Sequence, residues 1–425
     1  SQFGRVAVDV LDRYVVSATV RRDGTDKFFP GKKYAWFPSI SAAWKISNES
    51  FMKNIKWIDL LKVRASYGVN GNDNISAYQA YGVYASSQYN GVVGMLPDSP
   101  SNDDLSWERN ATVNAGLDFG FWGKLNGSID WYNRKTTDML LSKQVPQTTG
   151  FSSNFMNIGS MVNRGVEFQL NGDIINTEDW TWNVGMNIAF NDTEILDLGD
   201  VTEMTYSGDS RLKHVVGKGM YTFYLKEYYG VNPVNGEALW VAEDGSLTNN
   251  YNKARYIYAG SPEADYTGGF NTTLSWKGLT LSAFFEFKGG NEVMIIENRY
   301  CNSDGNQMTM NHYKTALNYW KQPGDTGVNP KPVAGTASNS YAFASTRWLQ
   351  DGSYVRVKDI TLSYDLPSKL LKKAGISNLK VYASALNLFT FHDVDFWDPE
   401  RGVTGIGAGI YPMTKSFIGG IELSF

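Results

Sequence analysis

The chain has 425 residues, and 39 Lys and Arg against 43 Asp and Glu leave a formal net charge of −4. Charged residues make up 19% of the sequence and aromatic residues 14%, a composition that disfavours a disordered chain, a coiled coil and a basic nucleic-acid-binding protein. There is no run of about 18 apolar residues, which excludes a helical membrane protein but not a membrane β-barrel, where only every second residue is apolar.

The dominant pattern along the chain is an alternation of apolar and polar residues with a period of two. Residues 181–191 show it most clearly, with Trp182, Val184, Met186, Ile188 and Phe190 at alternate positions. Because successive side chains of a strand point to opposite faces, such a segment has one apolar and one polar face. The sequence therefore predicts an all-β protein.

Thirteen antiparallel strands are predicted from this pattern. Each has about ten residues, more than is typical of soluble sheets, and ten tilted residues match an apolar slab of about 25–30 Å. The predicted ranges are 4–10, 13–22, 34–46, 58–70, 105–121, 124–139, 160–173, 179–191, 264–276, 278–289, 352–364, 377–389 and 412–425.

The strand predicted at 352–364 changes its apolar phase along its length. Val355 and Val357 belong to one phase, whereas Ile360 and Leu362 belong to the other. A β-bulge near residues 358–359 would explain the change, and so would a misplaced strand start.

The connections between strands alternate in length. Short ones lie at 11–12, 47–57, 123–124, 174–178, 276–278 and 365–376, the last predicted as a short helix with Ser368 near its start and Lys372 and Lys373 in its last turn. Long ones lie at 23–33, 71–104, 140–159, 192–263, 290–351 and 390–411. This arrangement is typical of an outer-membrane barrel with periplasmic turns and extracellular loops.

The number of strands is odd, whereas bacterial single-chain barrels have an even number and both termini in the periplasm. Counted back from the C-terminus, the first strand starts on the long-loop side without an upward partner. We therefore expect the chain to be the C-terminal part of a larger barrel.

Motifs spread over the whole chain resemble the SusC/RagA family of TonB-dependent outer-membrane transporters. They include Arg13–Gly24, which reads RYVVSATVRRDG, and Phe37–Ser47, which reads FPSISAAWKIS. The remaining matches are at 61–68, 70–72, 105–108, 163–168, 354–364, 378–390, 398–400 and 417–425. The resemblance implies a transmembrane antiparallel β-barrel of twenty-two strands, of which residues 1–425 supply the tenth to the twenty-second.

The same resemblance implies partners, a location and a function. It implies import of an oligosaccharide or peptide nutrient across the outer membrane of a Bacteroidetes-like bacterium, with no cofactor. A SusD-like lipoprotein would cover the extracellular side, and TonB with ExbB and ExbD would act through an N-terminal plug domain that this sequence lacks. Two other functions stay open: a receptor or anchoring barrel without transport, and an outer-membrane enzyme.

Aromatic residues in the long loops are the candidate solute contacts, because sugar rings stack on flat aromatic faces. The candidates are Tyr81, Tyr84, Tyr89, Phe396 and Trp397. The alternative is that these rings pack loop against loop or against a lid protein. Asp393, Asp395, Asp398 and Glu400 are close enough to suggest Ca²⁺, but they lack a twelve-residue ligand loop, so we predict a solvated acidic loop and no metal site.

The last strand carries Phe417, Ile421, Leu423 and Phe425 on one face. By resemblance these residues form the signal that the barrel-assembly machinery reads; an ordinary lipid-facing strand is compatible with that role. Girdle positions at the membrane interface are expected for Trp44, Trp122, Trp131, Trp182 and Trp276. Lumen-facing positions are expected for Arg64, Asp130, Arg134, Glu167, Gln169, Glu286, Lys288 and Glu422.

Enzyme chemistry has little support in the sequence. The three histidines, His214, His312 and His392, occur in no His-Glu-x-x-His motif, and no Gly-x-Ser-x-Gly or Walker A sequence is present. Cys301 is the only cysteine, which excludes an intrachain disulfide and a Cys-based zinc site. We therefore expect a protein that is not an enzyme.

Overall fold

The computed structural model describes residues 1–302, 304–307, 309–335, 344–371, 375–407 and 409–425. Its largest feature is a sheet of thirteen antiparallel strands that follow one another in chain order. They are β1 (Gln2–Val10), β2 (Tyr14–Gly24), β3 (Tyr34–Lys45), β4 (Ile58–Asn72), β7 (Glu108–Phe121), β8 (Leu125–Thr137), β11 (Ser160–Asn176), β12 (Trp180–Asp197), β20 (Tyr266–Trp276), β21 (Leu279–Gly289), β24 (Tyr354–Asp365), β25 (Asn378–His392) and β27 (Ser416–Ser424). The predicted all-β fold and all thirteen strands are confirmed.

Shorter elements occupy the connections. The strands are β5 (Val83–Tyr89), β6 (Val92–Ser99), β9 (Leu140–Gln144), β10 (Ser153–Asn157), β13 (Glu203–Thr205), β14 (Leu212–Val215), β15 (Thr222–Lys226), β16 (Tyr228–Val231), β17 (Ala238–Val241), β18 (Leu247–Thr248), β19 (Tyr256–Tyr258), β22 (Glu292–Ile295), β23 (Leu349–Asp351) and β26 (Ile406–Gly407). The α-helices are α1 (Ile296–Cys301) and α2 (Ser368–Leu371). The predicted Lys372 and Lys373 of the second helix lie outside the described residues. None of the helices that the described residues form has the length and apolar character needed to cross a membrane.

The strand register gives the sheet one polar and one apolar face. One row of directly opposed residues contains Arg64, Gly116, Asp130, Glu167, Ala189, Thr267, Lys288 and Tyr354. The neighbouring row, on the other face, contains Val8, Val16, Ala42, Ala65, Ala115, Trp131, Val166, Phe190 and Tyr266. The charged residues expected to face the lumen therefore share one face, and we call the apolar one the outward face.

Aromatic pairs mark both edges of the apolar band. Trp180 stacks on Trp276 at the short-turn end of β12 and β20, with ring centroids 5.5 Å apart, and Phe190 lies against Tyr266 at the other end. Ten positions separate the two pairs, or about 33 Å along a strand. At a tilt of about 40° that is about 25 Å, the height of the apolar band of an outer-membrane barrel.

The phase change in β24 comes from a β-bulge. Val357 pairs with Phe285 and Asp359 pairs with Phe284, so Lys358 is the extra residue. The inserted residue lets the apolar side chains on both sides of it share the outward face. The predicted bulge is thereby confirmed in place of a misplaced strand start.

The long connections differ from simple solvated loops, because they contain small sheets and apolar clusters. One cluster consists of Leu212, Phe223, Leu225, Met294 and Trp348, which are almost fully buried. Another is formed around Phe28 and Trp107 and includes Ile75, Ala80 and Leu105 of the connection between β4 and β7. These loops are folded structures that hold their surface residues in defined positions.

Candidate functional site

The polar face carries an ion-pair network in the middle of the sheet. Arg64 Nη2 donates to Asp130 at 2.6 Å, and its Nε donates to Asp118 at 3.1 Å. Lys62 Nζ also contacts Asp118, at 3.0 Å. Arg64 reaches from β4 across β7 to β8 because Gly116 lies between them, where a Cβ would come within 2.6 Å of the guanidinium carbon. These four charged side chains of the polar face are therefore paired with one another.

Arg356, on the polar face of β24, binds the long connection between β25 and β27. Its side chain is fully buried; Nη2 donates to both carboxylate oxygens of Asp398 (2.7 and 2.8 Å), and Nη1 donates to Glu400 at 2.6 Å. Its Nε donates to Thr390 Oγ1 at 3.0 Å. Such charge-assisted bonds from one planar group fix both position and orientation. The segment that carries the candidate aromatic residues is therefore held against β24 and β25.

Three of the four acidic residues considered for Ca²⁺ have other partners. Asp398 and Glu400 bind Arg356, and Asp395 accepts a bond of 2.8 Å from the Gln350 amide. Within the described part of the chain, no group of three His, Cys, Asp or Glu side chains is arranged to hold a metal ion. Asp398 and Glu400 hold this loop to Arg356, so it is not the freely solvated acidic loop that the sequence predicts.

Phe396 is presented to solvent by an unusual backbone conformation. Its φ of 63° lies in the left-handed region, which is rare for a bulky residue and is often found at functional sites. Its ring stacks on Tyr313 with centroids 4.2 Å apart and stays 54% exposed. Trp397 Nε1 donates to the Tyr313 hydroxyl. Phe396 and Trp397 thus share one partner, and Phe396 offers a free ring surface.

Tyr81, Tyr84 and Tyr89 lie in the long connection between β4 and β7. Tyr81 packs on Phe29 with ring centroids 4.2 Å apart, and its hydroxyl donates to the Phe28 carbonyl at 3.1 Å. Tyr81 therefore makes the loop-to-loop contact that was the alternative for these rings. Tyr84 and Tyr89 lie on the β5–β6 hairpin, where Tyr89 is 88% exposed.

The candidate aromatic residues therefore form two groups. The tyrosines belong to the connection between β4 and β7, whereas Phe396 and Trp397 belong to the connection between β25 and β27, far along the same sheet. Among the described residues, no ring contact or hydrogen bond joins the two groups. Phe396 and Trp397 are brought together on Tyr313, whereas Tyr81 packs on Phe29 and away from the other tyrosines.

Several other loop aromatics are structural. Phe223 and Trp240 are fully buried, and Tyr228 lies edge-on against Trp240 at 5.2 Å. His214 is packed beside Tyr221, and burial lowers the pKa of its imidazole. Burial also raises the pKa of the nearby Glu263 carboxyl, which accepts a bond from the Tyr221 amide. These residues stabilise the loop fold.

Two buried ion pairs were not identified from the sequence. Arg347 pairs with Asp304, and Arg401 Nη1 donates to Glu297 at 3.3 Å, with all four side chains at most slightly exposed. Burial raises the pKa of the Asp304 carboxyl, although Arg347 opposes that effect. Each pair joins segments 43 or more residues apart. No local pattern in the sequence indicates either pair, because the partners lie far apart in the chain.

The terminal strand lies at the edge of the sheet. β27 pairs with β25, where Ile421 is opposite Val381 and Phe417 is opposite Ala385, so the odd positions face outward. Phe417, Ile421 and Phe425 are more than two thirds exposed, and Leu423 lies on the same face. The apolar stripe is present as predicted; its role as an assembly signal stays a prediction.

The predicted girdle tryptophans lie on the outward face near the edges of the band. Trp44 stacks on Tyr14 at 6.4 Å, and Trp122 stacks on Trp57 at 5.8 Å, both at the short-turn side. Trp276 belongs to the pair with Trp180 described above. Trp131 is opposite Val166, whose other neighbour is Phe190. Trp182 lies two positions from Trp180, just inside the short-turn edge, and donates to Thr272 Oγ1 at 2.9 Å.

Comparison with known proteins agrees with this geometry. The TonB dependent receptor-like, beta-barrel family matches residues 1–388. TonB-dependent receptor P3 of Formosa agariphila is 32% identical over all of this chain and 45% of its own length. TonB-dependent receptor SusC of Bacteroides thetaiotaomicron is 30% identical over all of this chain and 43% of its own length.

A solved structure of the RagAB peptide transporter matches the whole chain with a TM-score of 0.89 and 30% identity, over 47% of that transporter chain. The chain thus spans a little under half the length of the relatives it matches. The similarity to these relatives, the polar and apolar faces of the sheet and the aromatic residues at both edges of the apolar band all indicate an outer-membrane β-barrel. The chain belongs to the TonB-dependent receptor-like β-barrel family and forms part of a SusC/RagA-like barrel in the outer membrane.

Proposed function

We propose that this chain is the barrel wall of a transporter that imports an oligosaccharide or peptide nutrient by a TonB-dependent mechanism. The observation that carries the proposal is the continuous polar face, which runs across the thirteen strands opposite an apolar band of bilayer height. Such a wall suits a water-filled passage through a membrane. The matched relatives are receptors and a transporter, which favours transport over an enzyme.

The complete protein is proposed to contain more than this chain. The thirteen strands would be the tenth to the twenty-second of a closed barrel, and an N-terminal plug would lie against the polar face. TonB with ExbB and ExbD would act on that plug, and a SusD-like lipoprotein would cover the long loops. The barrel-assembly machinery would read Phe417, Ile421, Leu423 and Phe425.

Solute is proposed to bind on the long-loop side, at the exposed rings of Tyr84, Tyr89 and Phe396. Tyr81 and Trp397 would position these segments through Phe29 and Tyr313. Phe396 is the strongest candidate, because Arg356 and Tyr313 fix its surroundings while one face of its ring stays open. A flat apolar ring can contact the face of a sugar or an apolar peptide side chain.

Uptake by cells that carry the full-length gene tests this function. We expect deletion of the gene, or of TonB, to abolish uptake of the nutrient, measured with a labelled mixture of oligosaccharides and peptides. Phe396→Ala should raise the half-saturating solute concentration by about threefold to tenfold, because one ring contact is lost. Phe51→Ala, which removes an exposed ring on the short-turn side, is the matched control and should leave uptake unchanged.

The outcome also separates the alternatives. Binding of solute to intact cells without TonB-dependent uptake would support a receptor or anchoring barrel. Chemical conversion of the labelled solute by the purified protein would support an enzyme. Equal effects of Phe396→Ala and Phe51→Ala would show that solute does not bind at Phe396.

Thiol labelling tests which side the long loops face. A membrane-impermeant reagent on intact cells should modify Cys301, slowly because the residue is half-buried at the end of α1. In a Cys301→Ser background, Asn90→Cys at the tip of the β5–β6 hairpin should react rapidly. Lys277→Cys, in the turn between β20 and β21, should react only after the outer membrane is ruptured; the reverse pattern would invert the orientation.

A further inference from the structure

Phe284 is an aromatic residue on the polar face of the sheet. It belongs to the polar set of alternate residues in β21, whose other members are Thr280, Ser282, Glu286 and Lys288. Phe284 is 38% exposed, and among the described residues no other ring lies against it. An open apolar ring is therefore an exception to the pattern that defines this wall.

Amide side chains surround this ring in the strand register. Two neighbouring rows of directly opposed residues cross β11, β12, β20 and β21 here, and we call them together the amide patch. The row of Phe284 is Asn171, Gly185, Asn271 and Phe284, and the next row toward the long loops is Gln169, Asn187, Gly269 and Glu286. Glu286, the one charged member, accepts a bond from the Tyr354 hydroxyl at 2.9 Å and pairs with Lys358 at 2.8 Å. The patch therefore offers no unpaired charge.

Two glycines make the amide patch concave. A Cβ on Gly269 would come within 2.9 Å of the Phe284 ring, and a Cβ on Gly185 would overlap Asn271 Oδ1. The ring and the amide therefore extend across the neighbouring strands, over positions where another side chain would otherwise stand. A cavity of about 270 Å³ borders Gln169 and Asn187 and continues the recess toward the long loops.

The amides of the patch are available to a ligand. Among the described residues, the side chains of Gln169, Asn187 and Asn271 form no hydrogen bond, and Asn171 donates to Asn126 at 3.4 Å. Each such amide has two donor hydrogens and a carbonyl acceptor. Amides can bond to the hydroxyl groups of a sugar, while a flat ring contacts the apolar face of the same sugar.

The amide patch lies halfway through the membrane. Asn271 is five positions from Tyr266 and five from Trp276, and Gly185 is five from Phe190 and five from Trp180. These are the aromatic pairs that mark the two edges of the apolar band. A solute bound here would be in passage, since solute is proposed to bind first at Phe396 on the long-loop side. Passage requires successive sites that bind but also release.

We propose that the amide patch is a transit site for neutral oligosaccharides, with Phe284 against a sugar ring and Asn271 and Gln169 bonded to its hydroxyl groups. The inference rests on the proposed function and narrows its substrate class. A peptide fits less well, because its charged termini would find no unpaired charge in the patch. The proposed plug would have to move away from the patch during transport.

Uptake by cells that carry the full-length protein tests the transit site. A mixture of neutral oligosaccharides and a mixture of short peptides, each labelled with the same fluorophore, are supplied separately. Phe284→Ala and Asn271→Leu should each lower the maximal rate of TonB-dependent oligosaccharide uptake by about threefold to tenfold, because one contact on the path is lost. The half-saturating concentration should change less, and the rate for peptides should not change. Gly185→Ala, which displaces the Asn271 amide without removing it, should have a smaller effect of the same sign.

Two neighbouring residues provide matched controls. Phe285, the next residue of β21, has its ring on the outward face against Phe270, with centroids 6.0 Å apart. Thr273, two positions below Asn271 on the polar face, has its hydroxyl 3.3 Å from that of Ser282. Phe285→Ala and Thr273→Val should leave oligosaccharide uptake unchanged when rates are divided by the amount of folded protein, judged by heat-dependent gel mobility.

Thiol protection gives a second measurement that does not depend on the uptake rate. In a Cys301→Ser background, Asn271→Cys should react with a small water-soluble thiol reagent in cells with active TonB. The oligosaccharide mixture should slow this reaction by at least about threefold, whereas the peptide mixture should not.

Several results would overturn the proposal. An Asn271→Cys that never reacts would mean that the plug covers the patch permanently, and equal protection by peptides would mean that sugars are not selected. Equal rate losses in Phe284→Ala and Phe285→Ala would show a general effect of losing a ring. If the wild-type protein takes up neither mixture, the proposed transport is wrong, and the protection of Asn271→Cys still decides whether the patch binds a sugar.

Discussion

Met186→Arg is expected to prevent most of the protein from assembling into the membrane. Met186 faces outward on β12, six positions from Trp180 and four from Phe190, so it lies near the middle of the apolar band. An arginine on the lipid face near the bilayer midplane costs about 2–4 kcal/mol. The ratio of folded to unfolded protein should fall by roughly 30-fold to 700-fold.

The matched control is Asn187→Arg, one residue further along the same strand. Asn187 faces the polar side at the same depth, between Gln169 of β11 and Gly269 of β20. An arginine there stays in the aqueous lumen and should be tolerated. The measurement is the fraction with folded, heat-modifiable mobility after the full-length protein is refolded into lipid vesicles. A tolerated Met186→Arg with a damaging Asn187→Arg would reverse the assignment of the two faces.

The sequence predicted the strands well because lipid on one side and water on the other impose strict alternation. The strand predicted at 179–191 ends at residue 191, yet β12 continues to Asp197. Asp192 and Glu194 lie on the outward face beyond Phe190, above the apolar band. There both faces of the strand are solvated, so alternation ends although hydrogen-bonded pairing does not.

The candidate site was harder to predict, because its geometry depends on partners far apart in the chain. Tyr81 is fixed by Phe28 and Phe29, some fifty residues earlier, and no local pattern indicates that contact. The sequence predicted a solvated acidic loop at Asp398 and Glu400, because their partner Arg356 lies 42 and 44 residues earlier, on another strand. Composition identified the right segments but could not separate exposed rings from packed ones.

Arg356→Met is expected to release the segment that carries Phe396 and Trp397. Methionine keeps much of the volume but leaves Asp398 and Glu400 without their cation. Breaking a buried ion pair by removal of one partner costs about 3–5 kcal/mol. The lower end applies here, because Glu400 is 43% exposed and can be hydrated. Amide exchange of Trp397 and Glu400, both hydrogen-bonded within this turn, should accelerate by about 100-fold.

Arg164→Met is the control for this change, since it breaks an ion pair of similar length that is largely exposed and worth about 0–1 kcal/mol. A second comparison tests the mechanism itself. Asp398→Asn removes one of the charges that Arg356→Met would strand, so the double variant should be less destabilised than the sum of the two single variants. Strict additivity would mean that Arg356 supports the loop through its cation–π contact with Tyr354 and its hydrogen bond to Thr390. The positioning of Phe396 would then not depend on charge pairing.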